Sequence, residues 1–331
     1  MCWQRNANFK GHDMQQIALI LTAIILGLVT GRITGGFTFS SAVCLIAGIF
    51  LVTPSLFKFR LSDLAMIKGH LPALGKNLVI NYVLLVAAAL VIGYLSQDIG
   101  IAAALLVLAL LPGGGMVMMW IKTSGANVKL GFIIFMINLA LVLPATLVFH
   151  QFYALAAPYF PPVDLSAADP ATAARSIKPQ APFMILIVIP FLLSRLALKF
   201  FPSVVSFTGK HQQTISKLTM FGIVYYLFSL STAQLLFEVS TADLIRAAVA
   251  TLGFYAVTFA AALTLTDRTP DGKAVFWHIA TRYITLALIL AIFGVDTFGA
   301  TFILPVMMAY FIQIGTAGFL ARLETAEPAA A

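Results

Sequence analysis

Apolar stretches of about twenty residues recur along almost the whole chain, separated by short polar breaks, and this repetition restricts the fold more than any other feature. A bilayer core about 30 Å thick is crossed by about 20 residues at the helical rise of about 1.5 Å. Backbone N–H and C=O groups in hydrocarbon need internal partners, so such stretches fold as helices. Composition agrees: 61% of the 331 residues are hydrophobic and 10% are charged, where a soluble chain carries about 25% charged residues. The reading is an all-α membrane protein of ten transmembrane helices, near 16–34, 37–57, 71–96, 100–123, 127–155, 182–201, 214–236, 241–265, 272–294 and 298–321.

The chain reads as one integral membrane domain over 1–331. The longest connection, 156–181, carries Pro158, Pro161, Pro162, Pro170 and Pro179 and acts as a linker between halves at about 14–155 and 182–323. Five helices per half reverse the orientation of the second, which gives a five-plus-five inverted repeat. A polar leader, Met1 to Asp13, precedes the first helix without a small-residue cleavage site, so that helix is expected to be retained. Arg5, Lys10, Lys58, Arg60, Lys68, Lys76, Lys122, Lys129, Lys199, Lys210, Lys217, Arg268, Lys273 and Arg322 fall on one side of this arrangement. Arg32, Arg175, Lys178 and Arg246 fall on the other. The excess of basic loops places both termini in the cytoplasm, with the protein in the plasma (inner) membrane. It also accounts for the net charge of +8 without a nucleic-acid partner. Cys2 and Cys44 have no metal or redox spacing.

Two features carry chemistry. Pro112-Gly113-Gly114-Gly115 interrupts an apolar run that continues to Lys122. Proline removes a helix hydrogen bond and glycine carries a large helix penalty. Unwound backbone at membrane depth belongs against protein or a wet cavity, so the break reads as a binding site; a packing kink is the plainer alternative. Arg282 lies about eight residues, some 12 Å, into its apolar stretch. The acidic residues all fall in loops, tails or helix ends, so Arg282 has no carboxylate partner and an anionic ligand is its natural counter-charge. Snorkelling to the interface is the plainer reading there. Asn81, Asn138, Ser231, Thr232, Gln234 and Gln313 read first as interhelical glue. No hydrolase elbow, P-loop or His/Cys metal cluster is present, so neither an enzyme nor a metal or other cofactor is expected.

The segment Pro-Gly-Gly-Gly-Met-Val-Met-Met-Trp at 112–120, followed by Gly125-Ala126-Asn127-Val128, resembles the broken fourth helix of the bile acid:sodium symporter family. Its Met116-Val117…Trp120 pattern is similar to the related arsenite permease family. Thr281 to Leu288 resembles the ninth helix of prokaryotic symporter-family members with Arg at this place. The resemblance implies a ten-helix inverted-repeat transporter with a panel and a core domain, whose broken helices four and nine cross near the midplane. Sodium-dependent members use a Ser-Asn pair after the helix-four break and a Glu and Gln in helix nine. This chain has Val117, Met118, His278 and Arg282 there, and Asn138 at the Ser/Thr-rich position in helix five, so the sodium-site residues are substituted. The cysteine of arsenite permeases falls on Gly113 and their helix-nine Glu on Thr285. The expected function is secondary transport of a small organic anion by alternating access. The alternatives are an arsenite or antimonite efflux permease and a membrane sensor that binds without transporting. The expected substrate site is Gly113, Gly114, Gly115, Asn138, His278, Thr281, Arg282 and Thr285, with a small anion and the lipid bilayer as partners. No Gly or Pro marks a break in helix nine.

Overall fold

Twelve α-helices form among the residues that the computed structural model describes, which are 3–35, 67–114, 117–161, 188–234 and 239–326 with a few single positions between 46 and 57. In chain order they are α1 (Trp3–Thr34), α2 (Leu71–Val79), α3 (Leu85–Ser96), α4 (Ile99–Leu110), α5 (Val117–Thr123), α6 (Val128–Ala156), α7 (Ile189–Phe200), α8 (Pro202–Gln234), α9 (Thr241–Leu265), α10 (Pro270–Ala280), α11 (Ile284–Phe298) and α12 (Ile303–Ala326). A π-type turn, Ile80–Leu84, joins α2 to α3.

The segments Ile67–Ser96, Val128–Tyr159 and Thr241–Leu265 are long and apolar enough to cross a membrane. A fourth span results if Ile189–Phe200 and Pro202–His211, bent by 116° at Phe201, count together. Several apolar helices of membrane length are thus present, as in a multi-pass membrane protein.

The expectation of ten spans is corrected by these lengths. The stretch at 100–123 is split into α4 and α5, of 12 and 7 residues. That at 272–294 is split into α10 and α11, of 11 and 15 residues. At about 1.5 Å per residue none of the four spans a 30 Å core alone. The apolar parts of the first and last helices, Ala18–Thr34 and Ala300–Gln313, are also short. The expected helix at 37–57 and most of the linker at 156–181 lie outside the described residues. No clear five-plus-five inverted repeat is seen among the described residues. The ten-helix fold that defines the bile acid:sodium symporter and arsenite permease families is therefore not what the structure shows. The alternating-access transport and the inverted-repeat description inferred from that fold fall with it.

The chain divides into two compact units, Met1–Phe59 with Met184–Glu238, and Arg60–Phe183 with Val239–Ala331. In the first, α1 packs along α8, closely at Gly27, where a Cβ would sit 2.6 Å from the Tyr225 carbonyl oxygen. Arg195 of α7 donates to the Leu56 carbonyl at 2.9 Å. Hydroxyls on α1 bond back to carbonyls one turn earlier, as Thr30 does to Leu26 at 2.7 Å, which satisfies polar groups in apolar surroundings.

The second unit is built around α4, whose residues from Ile99 to Leu110 are all buried. Asp98 caps it by accepting from the Ile101 amide at 2.9 Å and also accepts the Thr301 hydroxyl at 2.8 Å. Gly93 of α3 packs directly against Ala102 of α4. At the far end of this unit, Asn127 caps α6 through the Lys129 and Leu130 amides, both at 3.1 Å. Thr269 caps α10 through the Gly272 amide at 3.0 Å, with Pro270 opening the helix.

Candidate functional site: a junction of two interrupted helices

Pro112 cannot continue a helix, and the residue before a proline is pushed out of the helical region. Leu111 is accordingly at φ −117°, ψ 65°, and α4 stops. Gly113 takes φ +67°, a conformation open to glycine at little cost. The second interruption has no such local cause. Thr281 is extended at φ −115°, ψ 148°, between α10 and α11. The two extended stretches pair antiparallel through Pro112 and Arg282. The Gly113 amide donates to the Thr281 carbonyl and the Tyr283 amide to the Leu111 carbonyl, each at 2.8 Å.

Buried backbone groups need partners, and here they have them. The Arg282 amide donates to Gln313 Oε1 at 2.6 Å, while Gln313 Nε2 returns a bond to the Arg282 carbonyl at 3.2 Å. Gln313, on α12, thus replaces the helix ladder at this residue. The Tyr255 hydroxyl adds a bond to the same Gln313 oxygen at 3.2 Å.

The Arg282 side chain is buried, with 2% of its surface exposed. Its Nη1 donates to Asn81 Oδ1 at 2.8 Å and reaches the Ala109 carbonyl at 3.5 Å. Its Nη2 donates to the Ile279 carbonyl at 2.6 Å. Ala109 and Ile279 close α4 and α10, so the guanidinium sits at the negative ends of two helix dipoles. The Phe254 ring lies 6.0 Å from its carbon, within cation–π range. These are dipoles rather than counter-charges: no carboxylate bonds to Arg282 among the described residues. Its Nε has no hydrogen-bond partner, and neither has the buried hydroxyl of Tyr82, which lies within electrostatic reach of the guanidinium.

From Arg282 a line of side chains runs toward the starts of α2 and α10. Asn81 Nδ2 donates to Asn77 Oδ1 at 3.0 Å, and Asn77 Nδ2 donates to Asn138 Oδ1 at 3.3 Å. Asn138 Nδ2 contacts His278 Nδ1 at 3.4 Å and the Pro112 carbonyl at 3.5 Å. His278 Nε2 donates to the Gly131 carbonyl at 2.8 Å, which leaves Nδ1 to accept from Asn138 and fixes the neutral tautomer. A Cβ on Gly113 would lie 2.5 Å from His278 Nδ1.

Of the expected site residues, Gly113, Gly114, Asn138, His278, Thr281 and Arg282 meet at this junction. Gly114 packs on Tyr283, and the Thr281 hydroxyl bonds back to the Trp277 carbonyl at 2.6 Å. The Thr285 hydroxyl instead shares a 2.7 Å bond with the Tyr310 hydroxyl, apart from the Arg282 line. Gly115 lies outside the described residues. Asn77 and Tyr82 also stand at this junction without a role expected from the sequence, as do Asn81 and Gln313, which read there as interhelical glue. Asn77 and Asn81 stand four apart on an apolar helix, which puts two amides on one face, and that spacing was the available signal. The π-type turn Ile80–Leu84, which contains Asn81 and Tyr82, shifts the helix register here, a feature frequent at functional sites.

The geometry describes a buried cation on a continuous polar line, with two unsatisfied donors beside it. No protein-family model matches the chain, and no curated protein matches its sequence.

Proposed function

We propose that this multi-pass membrane protein binds a small anionic ligand at the junction, with the negative group against Arg282. One observation carries the reading: a buried guanidinium holds a full charge with no carboxylate beside it among the described residues and with Nε unsatisfied. Dipoles orient a charge but do not cancel it, and an uncompensated buried cation is costly. An anion that accepts from Arg282 Nε and the Tyr82 hydroxyl supplies both the counter-charge and the missing acceptors. The excess of basic loops supports a cytoplasmic position for both termini, in the plasma (inner) membrane.

The test is thermal unfolding of the purified protein against chloride, phosphate, sulfate, acetate, succinate and a sulfonate. An anion at about 100 times its dissociation constant stabilises by about 2.7 kcal/mol. The expected result is stabilisation by at least one of these anions in the parent and its loss in Arg282→Met. Equal responses in parent and variant, or no response to any anion of the series, would overturn the reading and leave Arg282 as a clamp on two helix ends.

A further inference from the structure

The two ends of the second unit differ in charge, and this observation does not depend on the junction. At one end, His70 Nδ1 lies 3.0 Å from Asp271 Oδ2, Asn127 Nδ2 donates to Asp271 Oδ1 at 2.8 Å, and the Asn127 amide donates to the Pro270 carbonyl at 2.8 Å. These contacts gather the starts of Ile67–Ser96 and Val128–Tyr159 with the loop that follows Thr241–Leu265. Lys68, Lys76, Lys122, Lys129, Arg268 and Lys273 all lie at this end. The first four are exposed, and of them Lys76 lies within electrostatic reach of Asp267. Asp271 is engaged by His70 and Asn127, and Asp267 by the hydroxyl and amide of Thr269. At the opposite end Arg246 is the one Lys or Arg among the described residues, and it lies 3.5 Å from Asp243.

The placement of the lysines selects their partner. Lys68 follows the first residue of one membrane-length segment, and Lys129 follows the first residue of another. Close by, Leu71, Leu263 and Leu265 are 56%, 59% and 42% exposed. The surface at this end therefore mixes exposed leucines with lysines over about two helical turns, Leu71 lying between Lys68 and Lys76, which is the composition of the level where headgroups meet acyl chains. A nucleic acid or acidic peptide needs basic groups clear of the lipid; a headgroup phosphate needs them at this level.

We propose that this end of the second unit is a binding surface for the phosphates of anionic lipids in the adjoining leaflet, with Lys68, Lys76, Lys122 and Lys129 as its cationic contacts. The full chain, in mixed micelles of phosphatidylglycerol and phosphatidylcholine, is analysed by native mass spectrometry for the lipid it retains. The expected result is a preference for phosphatidylglycerol of roughly threefold or more that falls as salt rises. The preference disappears in K68Q/K76Q/K122Q/K129Q and survives both in the matching lysine-to-arginine variant and in Arg246→Gln. An unchanged preference in the glutamine variant would overturn the proposal. So would displacement of the lipid by millimolar inorganic phosphate, which would mark a site for the free anion. If the glutamine variant does not fold, the salt series on the parent decides: a preference insensitive to salt rejects the charged surface.

Discussion

Asn81 Oδ1 accepts a hydrogen bond from Arg282 Nη1 at 2.8 Å, joining a π-type turn early in the second unit to the extended link between α10 and α11. Asn81 is fully buried, so the strength of this bond is set by low-dielectric surroundings. Asn81→Asp places a carboxylate where the amide oxygen was. It neutralises Arg282 in place, so anion-dependent stabilisation is expected to fall at least about tenfold in apparent affinity, equivalent to about 1.4 kcal/mol. Without anion the same variant gains an ion pair with Arg282 but turns a carboxylate oxygen on the Asn77 carbonyl and Oδ1, to which the Asn81 amide had donated, so its unfolding temperature is expected to stay near the parent's. Asn81→Ala should lower stability by about 1.5–3 kcal/mol, for a bond to a charged group. Thermal unfolding of the three proteins with and without the anion checks both expectations.

Gly113 is constrained twice, by φ +67° and by the approach of His278. Gly113→Ala places a Cβ 2.5 Å from His278 Nδ1, against a ring held on its other side by Gly131. The left-handed conformation alone costs an L-residue about 1–2 kcal/mol. The expected loss is about 2 kcal/mol or more, since overpacking adds to that strain. Combining the change with His278→Ala should recover the overpacking part and leave the backbone part. A double-mutant cycle in denaturant measures the coupling, and strict additivity would show that the contact does not matter.

The first interruption was legible in the sequence because proline and glycine act locally. Pro112 and Gly113 break α4 whatever surrounds them. The second was not, because Thr281, Arg282 and Tyr283 have no intrinsic reason to leave a helix. Their extended backbone depends on partners far away in sequence: Gln313 for Arg282, Leu111 for Tyr283 and Gly113 for Thr281. Helix count failed for a related reason. Apolar runs at 100–123 and 272–294 read as single spans because hydrophobicity continues across a break, yet each folds as two short helices. The Arg282 anomaly was visible as a charge in an apolar stretch. Of the asparagines on its path, Asn138 belonged to the expected site and Asn81 read as glue, while Asn77 drew no notice, since an amide in a membrane helix is most often a packing contact.

Asp267 sits outside the membrane-length segments, in the loop before α10. The Thr269 hydroxyl, and then the Thr269 amide, donate to its carboxylate and hold it below the ordinary aspartate range. A carboxylate depressed on folding stabilises the fold above its unfolded pKa, and this contribution is lost as pH falls through the folded value. Thr269→Val removes the hydroxyl and with it the α10 cap, so Asp267 should titrate closer to about 3.9. The acid-side fall in stability below about pH 5 should change shape in the variant, on top of a pH-independent loss of about 1 kcal/mol for the cap. Carboxyl NMR of labelled protein follows the titration directly, and an unshifted Asp267 in the variant would reject the assigned cause.

His278 distinguishes a structural line of hydrogen bonds from one that sets the ligand charge. Its ring donates to Gly131 and accepts from Asn138, a pairing that a neutral side chain with one donor and one acceptor reproduces. Glutamine offers an N–H toward Gly131 and an oxygen toward Asn138, so His278→Gln should cost under about 1.5 kcal/mol, in the range of a single net hydrogen bond. Leucine offers neither and leaves the Gly131 carbonyl and an Asn138 N–H unsatisfied in a fully buried position, at about 1–3 kcal/mol for each. Because the ring is neutral, the glutamine variant should keep the parent's anion response at pH 7. A glutamine variant that folds well but no longer responds to anion would show that His278 contributes charge rather than position, and would move the cationic centre of the site from Arg282 to a pair.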